Sequence, residues 1–474
     1  MGKVTGFLEY DRQEQKYQLA GDRIRHFNEF ILPLDEHDLR NQAARCMECG
    51  IPYCHGPIGC PLHNQIPDFN DLVYRNDWEI AAKNLHATNN FPEFTGRTCP
   101  AICEEACTLN LEGAPVSIKA IEQAIVDKAW DMGWIRPEPS PTKTGKRVAV
   151  VGSGPAGLTA AQQLVRVGHD VHVFERHALP GGLLRYGIPD FKLGKAHVER
   201  RIRQLEFEGV HFHCNTEIGV HKPFAALQAE FDAILLAGGA ERPRDLQIPG
   251  QETPGCHWAM DFLTQQNRRL NGEDISRENP IFAANKDVVV IGGGDTASDC
   301  IGVAFRQGAL SVTQLDIRPR PPEKEDKLVV WPYWPTRLRV SSSQAEGAER
   351  EFQVASLRIE EQKGRVIGVT CARVDEKRVP LAGTEFLLKA DLVLLAIGFS
   401  GPRLEGLINE SGIELDKRTN VRADPTDFRT SIAKVFAAGD MRRGQSLIVW
   451  AIAEGRGAAR SIDAFLMGKS LLPG

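Results

Sequence analysis

Arg147-Val-Ala-Val-Val-Gly-Ser-Gly-Pro-Ala-Gly157 is a short β-branched run that ends in a glycine-rich turn and leads into an alanine-rich helix. Gly152, Gly154 and Gly157 fit G-x-G-x-x-G. The first glycine permits a tight turn, the second lets the backbone approach a pyrophosphate, and the third lets the helix pack close to the strand. A helix starting at Pro155 and Ala156 would face the phosphates with unpaired N–H groups and the positive end of its dipole. The next strand pattern, Val171-His-Val-Phe-Glu175, ends in a carboxylate where ribose hydroxyls need an acceptor. The unit recurs: Lys286-Asp-Val-Val-Val-Ile291 runs into Gly292-Gly-Gly-Asp-Thr-Ala297. Two such units predict two βαβ folds and two bound dinucleotides.

The chain divides into three regions. Residues 1–142 hold most of the cysteines and helical patterns over 71–87 and 117–130. A proline-rich polar stretch over 136–146 reads as a linker. The first dinucleotide fold is expected over 143–283 and 398–474, because the sequence after about 398 returns to its features. The second, over 284–397, is then inserted into the first. The expected class is α/β: two Rossmann-like domains preceded by a mostly helical domain. The segment 319–350, rich in Pro, Trp and charge, reads as an irregular excursion of the second fold.

Two further segments point to FAD in the first fold. Pro180-Gly-Gly-Leu-Leu-Arg-Tyr-Gly-Ile-Pro189, with Gly182 and Leu183, resembles the segment lining the flavin in two-dinucleotide flavoproteins. Val435-Phe-Ala-Ala-Gly-Asp440 resembles their second FAD motif, in which the aspartate (here Asp440, after Gly439) contacts the ribityl chain. A helix over 447–466, entered through Ser446 and Leu447, would point its N-terminus at the flavin pyrimidine and stabilise negative charge there.

In the second fold the candidate nucleotide residues are Gly292, Gly293, Gly294, Asp295, Thr296 and Ala297. The next strand, near 311–317, should carry the specificity determinant. It contains Asp316, which suits the 2′-hydroxyl of NAD, but Arg318 and Arg320 follow, and these suit the 2′-phosphate of NADP. Two guanidiniums against one carboxylate favour NADPH. No Cys-x-x-Cys separates the two glycine turns, so electrons leaving a flavin need an exit other than a redox disulfide.

The cysteines offer one. Of 11, seven lie in the pattern Cys46-x2-Cys49-x4-Cys54-x5-Cys60 and Cys99-x3-Cys103-x3-Cys107. A dense block in a reducing compartment reads as metal ligation. Cys60 and Cys99 are each followed by proline, as the last ligand of a ferredoxin run often is. Seven thiolates nearly fill two 4Fe–4S clusters and leave one ligand of another kind. Structural zinc is the competing reading of the spacing, with His55 or His63 as an added ligand. A neighbouring flavin favours clusters, and on that reading the two histidines are hydrogen-bonded residues rather than ligands. Cys214, Cys256, Cys300 and Cys371 stand singly and read as small buried side chains.

With these parts in order the chain resembles the small (beta) subunit family of bacterial NADPH-dependent glutamate synthases over nearly its whole length. The resemblance includes Cys46-Met-Glu-Cys-Gly-Ile-Pro-Tyr-Cys54, Thr95-Gly-Arg-Thr-Cys-Pro-Ala-Ile-Cys103, and the pair Pro321-Pro-Glu-Lys-Glu325 and Ser341-Ser-Ser-Gln-Ala-Glu-Gly347. It implies crossed ligation of two 4Fe–4S clusters: Cys46, Cys49, Cys54 and Cys107 for one, and Cys60, Cys99, Cys103 and Glu122 for the other, with Gln123 the alternative to Glu122. It implies hydride transfer from NADPH to FAD with no acid–base residue. Electrons then pass to a large (alpha) subunit carrying FMN, which makes L-glutamate from glutamine and 2-oxoglutarate. The alternatives are an NAD(P)H-dependent flavin and iron–sulfur oxidoreductase with another acceptor, such as ferredoxin, and a zinc-stabilised scaffold without catalysis.

Composition agrees with such a role. A net charge of −5 supplies no basic field for nucleic acid or a membrane surface. The longest apolar runs are too short to span a bilayer, and the polar start lacks a secretory core. The expected location is the cytoplasm.

Overall fold

The strand Arg147–Val151 is the centre of a five-stranded parallel sheet in the computed structural model, which describes residues 2–473. It pairs with Asp170–Phe174 on one side and Ala233–Leu236 on the other, and His211–His213 and Val435–Ala437 form the edges. Val148, Ala149 and Val150 are fully buried, as the central strand of a sheet covered on both faces requires. The edge strand Val435–Ala437 comes from beyond the second fold, so the first sheet is completed only after the second has been made.

The second sheet is also parallel, in the order Glu349–Phe352, Ser311–Asp316, Asp287–Ile291, Leu392–Leu395 and Cys256–Trp258. An antiparallel sheet of Val354–Gln362, Arg365–Arg373 and Phe386–Lys389 lies beside it. The boundary expected at residue 284 falls inside this lobe. Cys256–Trp258 pairs with Leu392–Leu395, and the helix Ala259–Leu270 packs Phe262 and Leu263 on Val288 and Leu392. That edge strand is three residues long and has neither a β-branched run nor a following glycine turn, so it carried no strand signal.

In the N-terminal region the single helical pattern over 71–87 is two helices, Ile66–Tyr74 and Trp78–Thr88. Asn76 breaks them with φ +70°, a left-handed conformation that asparagine tolerates. The pattern over 117–130 is the helix Ile118–Asp131. Residues 136–146 are irregular and mostly exposed. Phe69, Phe91, Phe94, Ile121 and Ile125 are fully buried and share one continuous core with Leu158, Leu164 and Ile452 of the first dinucleotide fold. Polar contacts reinforce the seam: Arg456 donates to Asn90 Oδ1 and to the Ala87 carbonyl, both at 2.8 Å.

Candidate nucleotide and iron–sulfur sites

Both glycine turns open onto one cleft of about 2300 Å³. Gly152 has φ +101°, and a Cβ there would lie 2.5 Å from the Ala237 carbonyl oxygen. A Cβ on Gly157 would lie 2.0 Å from the Gly152 oxygen, within the strand–helix contact. Gly154 borders the cleft and a Cβ there would meet nothing, so that space is left to a ligand. The helix Pro155–Arg166 starts at this point. Gly157→Ala is therefore expected to cost about 1–3 kcal/mol through overpacking and to lower bound flavin, read by denaturant unfolding and by flavin absorbance.

Glu175, Gly182, Leu183, Asp440, Ser446 and Leu447 share the same wall. Ser153, which the motif leaves unspecified, ties two of these segments together. Its hydroxyl donates to Glu175, and it accepts from Gly181 N at 2.8 Å. Gly182 must be glycine, since its φ is +51° and a Cβ would lie 2.8 Å from Gly154 Cα. Ser446 Oγ donates to Asp440 Oδ1 at 2.7 Å. Burial pushes the Asp440 carboxyl up to about 6, against the opposing hydrogen bonds from Ser446. Gly439 lies behind the wall with φ +71°, its N–H donating to Glu454 Oε2 at 2.9 Å. Glu454 is buried and also pairs with Arg442 and Arg443, so it anchors this turn. The helix Ile448–Met467 then begins at the cleft. Its Gly455 allows close crossing of Pro155–Arg166, where a Cβ would lie 2.4 Å from the Ala156 oxygen.

In the second half of the cleft, Gly292 has φ +136°, and Gly294 is open. Gly293, Gly294, Asp295 and Thr296 form the wall, whereas Ala297 is fully buried beneath it. Asp316 and Arg318 form a pair rather than two rival signals. Arg318 Nη2 lies 2.8 Å from Asp316 Oδ2, and Arg318 N and Nε donate to Oδ1 at 2.9 and 3.0 Å. Arg320 turns away to Glu323 at 3.0 Å. Arg350, from the adjacent strand Glu349–Phe352, is on the wall. Sequence reasoning missed it because only sheet pairing brings residue 350 beside Gln314.

The seven clustered cysteines fall into two sets. The thiol of Cys54 is raised first by burial and then by Cys107, Cys46 and Cys49. Cys103 is raised by burial and then by Cys60 and Cys99, with Glu122 also acting. Burial pushes Cys46 and Cys99 up to about 11 and Cys60 up to about 12, and backbone N–H donors oppose it: Glu48 at Cys46, Asn64 and Leu62 at Cys60, Ala101 and Ile102 at Cys99. Such sulfurs become thiolates at neutral pH only with a bound cation beside them, so the donor set fits metal centres. Glu122 Oε1 accepts from Asn89 at 3.2 Å and from Thr95, on the side of the second set. Its neighbour Gln123 accepts from Gln15 at 3.1 Å instead. His63 Nδ1 lies 3.2 Å from the His55 carbonyl oxygen. Of the single cysteines, Cys300 and Cys371 are buried, whereas Cys214 and Cys256 are only half-buried, each at or beside a strand near a sheet edge.

The excursion over 319–350 is an additional cover for the first set. Trp331 Nε1 donates to the Cys107 carbonyl at 3.3 Å, and Arg337 Nη2 donates to Glu105 at 2.6 Å. Cys99 and Lys119 border the cleft itself. The cleft thus reaches both glycine turns and the second thiol set.

This arrangement defines a pyridine-nucleotide oxidoreductase with an N-terminal iron–sulfur domain. Residues 146–455 match the family described as pyridine nucleotide-disulphide oxidoreductase, and residues 23–134 match dihydropyrimidine dehydrogenase domain II, 4Fe-4S cluster. The chain is 52% identical over 480 residues to the glutamate synthase [NADPH] small chain of Mycobacterium tuberculosis, covering 100% of this chain and 98% of that one. It is 43% identical to the Bacillus subtilis protein of the same name, over 100% of both chains. The chain belongs to the glutamate synthase small-chain family and is an oxidoreductase. Among solved structures, FprA of M. tuberculosis shares the fold at TM-score 0.52 and 20% identity, over 68% of this chain and 84% of that one. No helix among the described residues is long and apolar enough to cross a membrane.

Proposed function

We propose that this chain is the electron-input subunit of a glutamate synthase: it oxidises NADPH and delivers electrons, through FAD and two 4Fe–4S clusters, to a large FMN-bearing subunit that makes L-glutamate from glutamine and 2-oxoglutarate. The observation that supports this most is the single cleft shared by both glycine turns and bounded by Cys99. When bound, FAD takes up hydride from a pyridine nucleotide and the clusters carry single electrons.

The chain's residues hold and order these groups. Gly152, Gly154 and the start of Pro155–Arg166 receive the FAD pyrophosphate, Glu175 the ribose and Asp440 with Ser446 the ribityl chain. Gly292, Gly294 and the start of Asp295–Arg306 receive the pyrophosphate of NADPH. Arg318 neutralises Asp316, and together with Arg350 it offers positive charge to a 2′-phosphate. Cys46, Cys49, Cys54 and Cys107 hold one cluster; Cys60, Cys99, Cys103 and Glu122 hold the other. Cys99 borders the cleft while Cys46 and Cys49 are only partly buried, which supports an order of the sets from nucleotide to partner. The division is an iron–sulfur domain over 1–142, an FAD domain on both sides of the insertion, and an NADPH domain that starts before residue 284. The cytoplasm is the place of action.

Arg318→Ala and Arg350→Ala are each expected to reduce the preference for NADPH over NADH, as a ratio of kcat/KM, by about 10- to 100-fold, since a charge-assisted hydrogen bond contributes about 1.5–3 kcal/mol. Arg320→Ala is expected to change the ratio far less. The reading as a whole is tested by anaerobic NADPH oxidation with glutamine and 2-oxoglutarate, with and without the large subunit. Glutamate formed only by the pair supports it. NADPH-dependent dye reduction without glutamate from the reconstituted pair would move the acceptor elsewhere, for example to ferredoxin.

A further inference from the structure

A second group of ligand-type side chains lies on the first sheet, and none of them borders the cleft. Alternation along Asp170–Phe174 buries Val171 and Val173 on one face and sets Asp170 and His172 on the other. The parallel register places His211 beside His172 and His213 beside Phe174. His172 Nε2 is 3.2 Å from Asp170 Oδ2, and His211 Nε2 is 3.4 Å from Asp170 Oδ1. The three ligand atoms lie within 4.8 Å of one another.

An ordinary histidine–carboxylate hydrogen bond accounts for one imidazole on one carboxylate. Here two imidazoles from neighbouring strands converge on both oxygens of the same carboxylate. A tetrahedral shell with bonds of about 2.0–2.1 Å separates its ligand atoms by roughly 3.3 Å, so the observed spacings need little adjustment. The other nitrogen of His172, Nδ1, is 2.9 Å from His213 Nε2. With the proton on His172 Nδ1, donated to His213 Nε2, the His172 Nε2 lone pair is free and the ring is fixed, as by an outer partner of a metal-bound histidine. The nearest fixed cation is Arg147, with Nε 3.4 Å from Asp170 Oδ2; Lys222 is occupied by Glu230 at 2.8 Å.

We propose that Asp170, His172 and His211 form a site for a divalent transition metal of the zinc type, with His213 orienting His172 and water completing the shell. Two neutral imidazoles and a carboxylate suit that ion. The ion would clip the edge strand His211–His213 to Asp170–Phe174, the strand that leads into Glu175.

The test is anaerobic calorimetric titration of the holo-protein, flavin and clusters in place, with zinc chloride. Iron and flavin are assayed on the same samples. Wild type is expected to take up zinc that His211→Ala does not; the His211 side chain is 56% exposed, so this variant keeps the fold. His213→Ala is expected to bind about 10- to 100-fold more weakly. The proposal is overturned if wild type takes up no zinc, or if wild type and His211→Ala take up the same amount, the result expected of zinc entering the cysteine sites.

Discussion

Arg201→Ala is expected to lower the free energy of unfolding by about 3–5 kcal/mol, the range for breaking a buried ion pair from one side. Arg201 and Glu93 are 1% and 0% exposed as side chains, and the guanidinium donates through Nε and Nη2 to the two carboxylate oxygens at 2.7 Å each. The pair joins the helix Pro92–Thr98 of the N-terminal region to the helix Lys195–Glu208 of the first dinucleotide fold. Arg201 also donates to Gln204 at 2.6 Å and lies over the rings of Phe91 and Trp130. Alanine removes all of this and leaves the buried Glu93 carboxylate without its hydrogen-bonded charge partner.

The same pair sets a pH dependence. Burial by itself raises the Glu93 carboxyl, but the charge and hydrogen bonds of Arg201 overcome this and hold it below its ordinary value. A lowered folded-state value means the contribution is complete above the unfolded pKa of about 4.3 and is lost as pH falls through the folded value. Guanidinium unfolding near pH 7 and near pH 3 should therefore show the wild-type advantage over Arg201→Ala shrinking in acid. A difference under about 1 kcal/mol at neutral pH, in the range of exposed pairs, would sink the assignment.

On the proposed ligation of two clusters, Glu122→Ala is expected to remove one, so iron per chain falls to about half, while Gln123→Ala retains full iron. The distinction rests on direction. Glu122 faces the set of Cys60, Cys99 and Cys103, whereas Gln123 packs under Gly96, whose Cβ position is 3.0 Å from Gln123 Cα, and bonds Gln15. Reduction of a dye by NADPH should persist in Glu122→Ala, because the nucleotide cleft is intact, while glutamate formation with the large subunit is lost. Iron analysis and the EPR of the reduced protein read the result. Full iron in Glu122→Ala together with half in Gln123→Ala would transfer the role to Gln123.

Much of this was legible along the chain because the chemistry is local. A glycine with a required φ or a required close approach, as at Gly152, Gly157 and Gly292, leaves its mark in the sequence whatever surrounds it. So does a short strand followed at once by a helix, and so does a run of cysteines at fixed spacing. These features indicated two dinucleotide folds, a return of the chain to the first sheet near its end, and a cysteine-rich N-terminal region with metal-ligand spacing.

What depended on sheet pairing and packing was not legible. Arg350 reaches the nucleotide wall only through its register with Ser311–Asp316, and Asp316 and Arg318, rivals on paper, neutralise each other in space. The boundary expected at 284 missed Cys256–Trp258 because an edge strand held by backbone pairing needs no pattern of its own. Glu93 with Arg201, and Glu454 beneath Gly439, are buried charges whose sequences look like ordinary helix surface. Residue type and spacing along the chain set which groups are present; folding sets which of them meet, because a charge or thiol is defined energetically by neighbours that lie tens or hundreds of residues away.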